Sequence, residues 1–175
     1  MAVDSTLYFD LSMNELREVS QFALTPAADA ASLLGRALDP RVVAALDAAT
    51  LFVSGQPRSR LQRTAALDAH RAAKDAPDAA GRHVAAAAGD AAASAYLHPF
   101  AKADQVGHIL RSTAHAALAA EAVNGPHAAH EVLEEALTRA TPVVLDVLRR
   151  YPPLPGGRTR LAQLLAGLDS ALRDL

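Results

Sequence analysis

An all-α fold is predicted, a single-domain bundle of about eight or nine helices around a central Ala-rich pair. Three observations predict it. The stretch from Ala79 to Ala122 is mostly alanine, the strongest helix former because it loses no rotamer entropy. It has too few polar residues around its girth to be a solvated surface helix, so other helices are expected to pack around it. No segment sustains an alternation of period two, and the ten prolines fall almost entirely at expected helix starts or in one short segment, residues 151–157.

The elements follow in order. Residues 1–11 read as an extended lead-in. Ser12 and Glu15 form S-x-x-E, the signature of a capping box, ahead of Leu16, Val19, Phe22 and Ala23. Thr25-Pro26 reads as the start of a second helix, carrying Ala28 to Leu38. Asp39-Pro40 repeats the device before a stripe of Val42, Ala45, Leu46, Ala49, Phe52 and Val53, which Gly55 ends. Residues 58–76 form a helix with Leu61, Ala65, Ala69, Ala72 and Ala76 on one side and Arg60, Arg63, Arg71 and Lys74 on the other. A helix from Pro77 to about Leu97 and another from about Phe100 to Val123 make the Ala-rich pair, broken near His98-Pro99. Asn124-Gly125-Pro126 stops one helix and starts the next, His127 to about Ala140. Thr141-Pro142 opens a short helix to Arg150. The YPPLPGG segment that follows cannot be helical, and Thr159 to Arg173 closes the chain with Leu161, Leu164, Leu165, Leu168 and Leu172 inward.

Composition narrows the function classes. The chain has 175 residues, 51% of them apolar, which is enough for one domain with a core. A net charge of −2 argues against a duplex nucleic-acid binder, which needs a basic excess to replace counterions. The absence of cysteine excludes disulfides, thiol catalysis and cysteine-ligated zinc. The N-terminus lacks the basic and apolar regions of a signal peptide, and charges interrupt the Ala-rich stretch, so a cytoplasmic protein without a membrane span is expected.

Chemistry-bearing residues are few. His127 and His130 share a helix face at i, i+3. With His70 they are candidates for a three-histidine metal site in a small metal-binding protein or metalloenzyme. Set against this, HAAH occupies the first turn of a helix, where histidines are ordinarily exposed. His108 and His115 lie within roughly 20° of each other on a helix and either line a cleft or pack against neighbouring helices. His98 is placed as a cap at the break. Asp68 and His70 point to different faces and are not a dyad. No nucleophile elbow or phosphate loop is present, so no catalytic residue and no cofactor is assigned.

Two basic clusters are candidates for partner binding. One is the polar face of the 58–76 helix, with Arg60, Arg63 and Arg71. The other flanks the proline segment, with Arg149, Arg150, Tyr151, Arg158 and Arg160. Arg and Tyr are enriched at binding hot spots.

Three stretches together resemble the all-helical immunity proteins of bacterial polymorphic toxin systems, a family also sometimes labelled as an exonuclease subunit. They are LSMNELREVSQFA at 11–23, RTAALDAHRAAKDA at 63–76 with AAAAGDAAASAYLHP at 85–99, and RRYPPLP with its closing helix at 149–173. The best-matched pieces are AHRAA around His70 and RYPP at 150–153. The resemblance implies a non-enzymatic binder that covers the active site of a cognate toxin protein, with a basic nuclease as one candidate. It supplies no catalytic residues. The exonuclease label is not supported, because an acidic cluster for two-metal phosphodiester chemistry is missing. Self-association through the Ala-rich face, giving a homodimer, is a further expectation.

Overall fold

A helix surrounded by other helices on all sides can hold only small residues, and the Ala-rich stretch folds into one. The computed structural model describes residues 7–175. It contains α1 (Met13–Leu33), α2 (Pro40–Val53), α3 (Arg60–Asp75), α4 (Ala79–Ala93), α5 (Val106–Asn124), α6 (Pro126–Arg139), α7 (Pro142–Arg149) and α8 (Arg160–Arg173). Every residue of α4 from Val84 to Ala92 is buried, which covers the whole circumference of the helix. α3 and α5 take two sides of α4, and α1 and α2 close the others. The remaining helices α6, α7 and α8 cover α5 and part of α1. Among the described residues there is no strand, only an isolated antiparallel bridge between Tyr8 and Phe100. None of the helices is long and apolar enough to cross a membrane.

The core is graded. At one end Leu16, Phe22, Phe52, Leu97, Ile109, Leu148 and Tyr151 pack together. At the other the contacts are almost all alanine, from Ala30 and Ala31 of α1 through Ala45, Ala69, Ala85 and Ala88 to Ala116 and Ala119 of α5. α1 and α5 both run from the large-residue end to the small one, so the side chains packed between them shrink along their length. A serine ties the middle of the bundle together. The buried Ser112 hydroxyl of α5 lies 2.6 Å from the Ala23 carbonyl of α1 and 3.0 Å from the Ala87 carbonyl of α4.

The capping box at Ser12 and Glu15 is present with both of its hydrogen bonds. A second one, Ser59 with Gln62, opens α3, and the buried Gln62 amide also donates to the Ala48 carbonyl at 3.0 Å. The expected helix start at Thr25-Pro26 does not occur. α1 continues through Pro26, and the Thr25 hydroxyl donates back to the Gln21 carbonyl at 3.1 Å instead of capping. Burial of Phe22, Ala23, Ala27 and Ala30 on both sides of the proline outweighs its missing hydrogen bond. This leaves eight α-helices among the described residues, within the eight or nine expected.

The break at His98-Pro99 is longer than expected. A 3₁₀ turn at Ser94–Tyr96 ends α4, another at Ala103–Gln105 precedes α5, and His98 caps neither helix. Its N–H donates to the Gln105 side chain at 3.0 Å, and its carbonyl accepts from the Tyr151 hydroxyl at 2.7 Å. Of the expected lead-in, residues 1–6 lie outside the described residues. Its remainder runs beside this break, with Phe9 N–H donating to the Pro99 carbonyl and Ala101 N–H to the Leu7 carbonyl.

The proline segment is held down. Buried Asp169 accepts from Leu154 N–H and from Arg173, both at 2.8 Å, and Arg173 also donates to the Tyr151 carbonyl at 3.0 Å.

If close alanine contact sets the helix spacing, Ala91→Leu, at a fully buried position, is expected to cost about 2 kcal/mol or more in urea unfolding. Ala44→Leu, on the exposed side of α2, is expected to change stability by less than about 0.5 kcal/mol.

Candidate functional site

One carboxylate stands in the buried part of α4. The Asp90 side chain is only 6% exposed, and its neighbours come from the helices on either side. His70 Nε2 of α3 lies 3.4 Å from Asp90 Oδ1. Arg111 Nη1 of α5 is 3.8 Å from the same oxygen, and His115 Nε2 is 3.8 Å from Oδ2. Oδ2 makes no hydrogen bond. Gly89 allows the approach of α3, since a Cβ there would sit 2.9 Å from His70 Nε2.

Behind Asp90 the histidines form a chain. His83 Nδ1 and His115 Nδ1 are 3.1 Å apart, so one of them carries the proton. If His83 donates, His115 keeps its proton on Nε2 and turns an N–H toward Asp90. The opposite choice would set a lone pair against a carboxylate, so the first tautomer is favoured. Burial pushes the His115 pKa down to about 4. Asp90 opposes this, while His83, Arg111 and His70 add to it. His83 and His108 are lowered as well, chiefly by burial, with Arg82 acting on the first and Arg111 on the second.

In front of Asp90 lies a pocket of about 260 Å³. Its walls are Arg63, Ala66, Leu67 and His70 of α3, Ala93 and Tyr96 at the end of α4, and His98 and His108. Arg63 and Arg58 both stack on the Tyr96 ring, at 4.5 and 5.1 Å from its centre. The Tyr96 hydroxyl donates to the Ser59 carbonyl at 2.6 Å, which fixes the ring. The pocket opens beside the outer face of α3, where Arg60, Arg63, Leu67 and Arg71 are exposed at helical spacing. Leu61 and Leu67 on this helix are 48% and 54% exposed, unlike most large apolar residues of the chain.

The structure separates the residues expected to bind a partner. Arg60, Arg63 and Arg71 share the outer face of α3, although Arg71 is paired with Asp68 at 2.6 Å. Around the proline segment, Arg158 is exposed, Arg149 is exposed and donates to the Arg173 carbonyl at 3.2 Å, and Arg160 is paired with Glu121 at 2.7 Å. Arg150 is bound to Glu15, Asp146 and the Asp10 carbonyl, and it holds the Glu15 carboxyl down to about 2. Tyr151 is corrected from a surface candidate to a core residue. It is 2% exposed, its ring packs edge-on against Phe9, and burial raises its hydroxyl pKa.

The three histidines considered for a metal do not converge. His70 faces Asp90, whereas His127 and His130 sit exposed in the first turn of α6, where His130 is 3.7 Å from Glu134. Among the described residues no group of three or more His, Cys, Asp or Glu is placed to hold a metal ion. Asp68 and His70 do point apart, to Arg71 and Asp90. His115 and His108 adopt both arrangements open to them, the first packed against another ring and the second lining the pocket. Asp90, Tyr96, His83 and Arg111 were not singled out by sequence. The available signal was Asp90 itself, a lone carboxylate in AAAAGDAAA, since a charge in an otherwise buried helix needs partners from neighbouring elements.

Fold and site together define an all-helical bundle with a buried Asp–His cluster behind one apolar and basic helix face. Residues 10–140 match the family model described as Imm-5 like putative immunity protein. The match covers most of the chain, and the protein belongs to that family. No curated protein and no solved structure matches it.

The low pKa of His115 gives a stability prediction. Its folded value lies below its unfolded one, so the unfolded chain takes up the proton first as pH falls. Stability is therefore full above about pH 6.5 and declines toward pH 4, by on the order of 3 kcal/mol from this group. Denaturant unfolding across pH 4.5–7.5 checks it, and His115→Gln is expected to flatten the curve over that range.

Proposed function

We propose that the protein is an immunity-type binder, which neutralises a cognate toxin in the cytoplasm by covering it and performs no catalysis itself. Membership of the immunity-protein family supports this reading. The observation that carries it to a surface is the outer face of α3. Leu67 stands about half exposed there among Arg60, Arg63 and Arg71, beside a pocket walled by Ala66, Ala93, Tyr96 and histidines, and Leu61 is exposed on the flank of the same helix. Exposed apolar side chains ringed by arginine suit a protein interface, because apolar anchors gain by desolvation and arginine supplies directional hydrogen bonds. The segment 149–160 is the weaker candidate, since Arg150, Tyr151 and Arg160 are engaged within the fold.

The double substitution Leu61→Asp with Leu67→Asp tests the assignment. Both positions are exposed, so thermal melting is expected to stay within a few degrees of the parent. Wild-type protein immobilised on beads is expected to capture one protein from the source organism's lysate in near-equal amount, and the variant to lose it. That protein should arrest growth when expressed alone and not when co-expressed with wild type. Equal capture by both forms would exclude the α3 face, and a captured protein without toxicity would exclude neutralisation.

A further inference from the structure

We infer that the pocket beside α3 receives an aspartate or glutamate side chain from an acidic segment of the partner protein. The inference rests on the binder reading above and adds the chemistry of what is bound.

The charge distribution comes first. The molecule as a whole is slightly acidic, at −2. The outer stripe of α3 is not, because Arg60, Arg63, Arg71 and Lys74 lie along it and its two acids, Asp68 and Asp75, are taken by Arg71 and Arg41. Just before the helix stands Arg58. Among the described residues Arg36, Arg41, Arg139, Arg150, Arg160 and Arg173 all have a carboxylate within 4 Å, whereas Arg58, Arg60 and Arg63 have none, as is also true of Arg17, Arg82, Arg149 and Arg158, which do not adjoin one another in sequence as these three do. Two guanidinium groups over one ring, with Arg60 a turn before Arg63 on the same face and no carboxylate on any of the three, attract one from outside.

The pocket gives that carboxylate a seat. Stacking on Tyr96 holds the Arg63 guanidinium in one plane and leaves its N–H edge free for two parallel hydrogen bonds. Ala66, Leu67 and Ala93 offer apolar wall for the aliphatic stem of the incoming side chain. His98 and His108 complete the lining. Asp90 is almost fully covered and faces His70, so it anchors that ring and is not itself a pocket wall. Asp104, on the turn before α5, is exposed and is not a pocket wall.

The test uses acetylated hexaglutamate amide as probe, with hexalysine as the control, in an NMR titration of the full-length protein at neutral pH and moderate salt. Amide shifts are expected within residues 58–71 and 93–108 on adding the acidic peptide, and none there on adding hexalysine. Arg63→Gln is expected to weaken the acidic peptide at least tenfold with thermal melting unchanged. No shifts, shifts scattered over the surface, or equal affinity for Arg63→Gln would overturn the inference. So would displacement of the peptide by a short RNA or DNA duplex at lower concentration, which would reassign the face to phosphate. If the captured toxin binds Arg63→Gln as tightly as wild type but is lost with Leu61→Asp and Leu67→Asp, the binder reading stands and the acidic seat fails.

Discussion

The rest of the structure depends on one constraint, the burial of α4 around its full circumference. A helix in that position must be packed on every side by other helices, so its residues must be small, and alanine satisfies this while retaining the best helix propensity. The cost is that alanine contributes little apolar area per residue. The chain compensates at one end, where Phe22, Phe52, Leu148, Tyr151 and Leu168 form an ordinary large-residue core. The same constraint makes Asp90 informative. A carboxylate in that helix cannot reach bulk water, so α3 and α5 bring His70, Arg111 and His115 to it, and the site is a consequence of how α4 is enclosed.

Most of the fold was legible because its signals are local. Capping residues, prolines at first turns and the 3.6-residue stripes each act within a few residues, and they place α2, α6, α7 and α8 well. Pro26 misleads for the opposite reason. Whether a proline starts a helix or sits within one depends on what its neighbours bury, and Ala23 and Ala27 are completely covered by residues distant in the chain. The long break between α4 and α5 is a similar case. Its conformation is set by Phe9 and Tyr151, from opposite ends of the sequence.

The site was legible only in part. The basic stripe of α3 can be read from Arg60, Arg63 and Arg71, since helix periodicity alone puts them on one face. Tyr151 shows the limit of composition, because a tyrosine between arginines and prolines looks exposed but turns its ring into the core. The Asp90 cluster depends on pairing across three helices, and spacing within one helix carries no information about that. His70, His83 and His115 look unrelated in sequence although all three belong to one polar group.

The hydrogen bond from Tyr151 to the His98 carbonyl links two parts of the chain with different standing. His98 forms part of the pocket rim and lies inside the region that matches the family, whereas Tyr151 lies beyond it. The C-terminal portion therefore works as a wedge under one lip of the pocket. A substitution at Tyr151 therefore moves the His98 lip without changing a residue that lines the pocket.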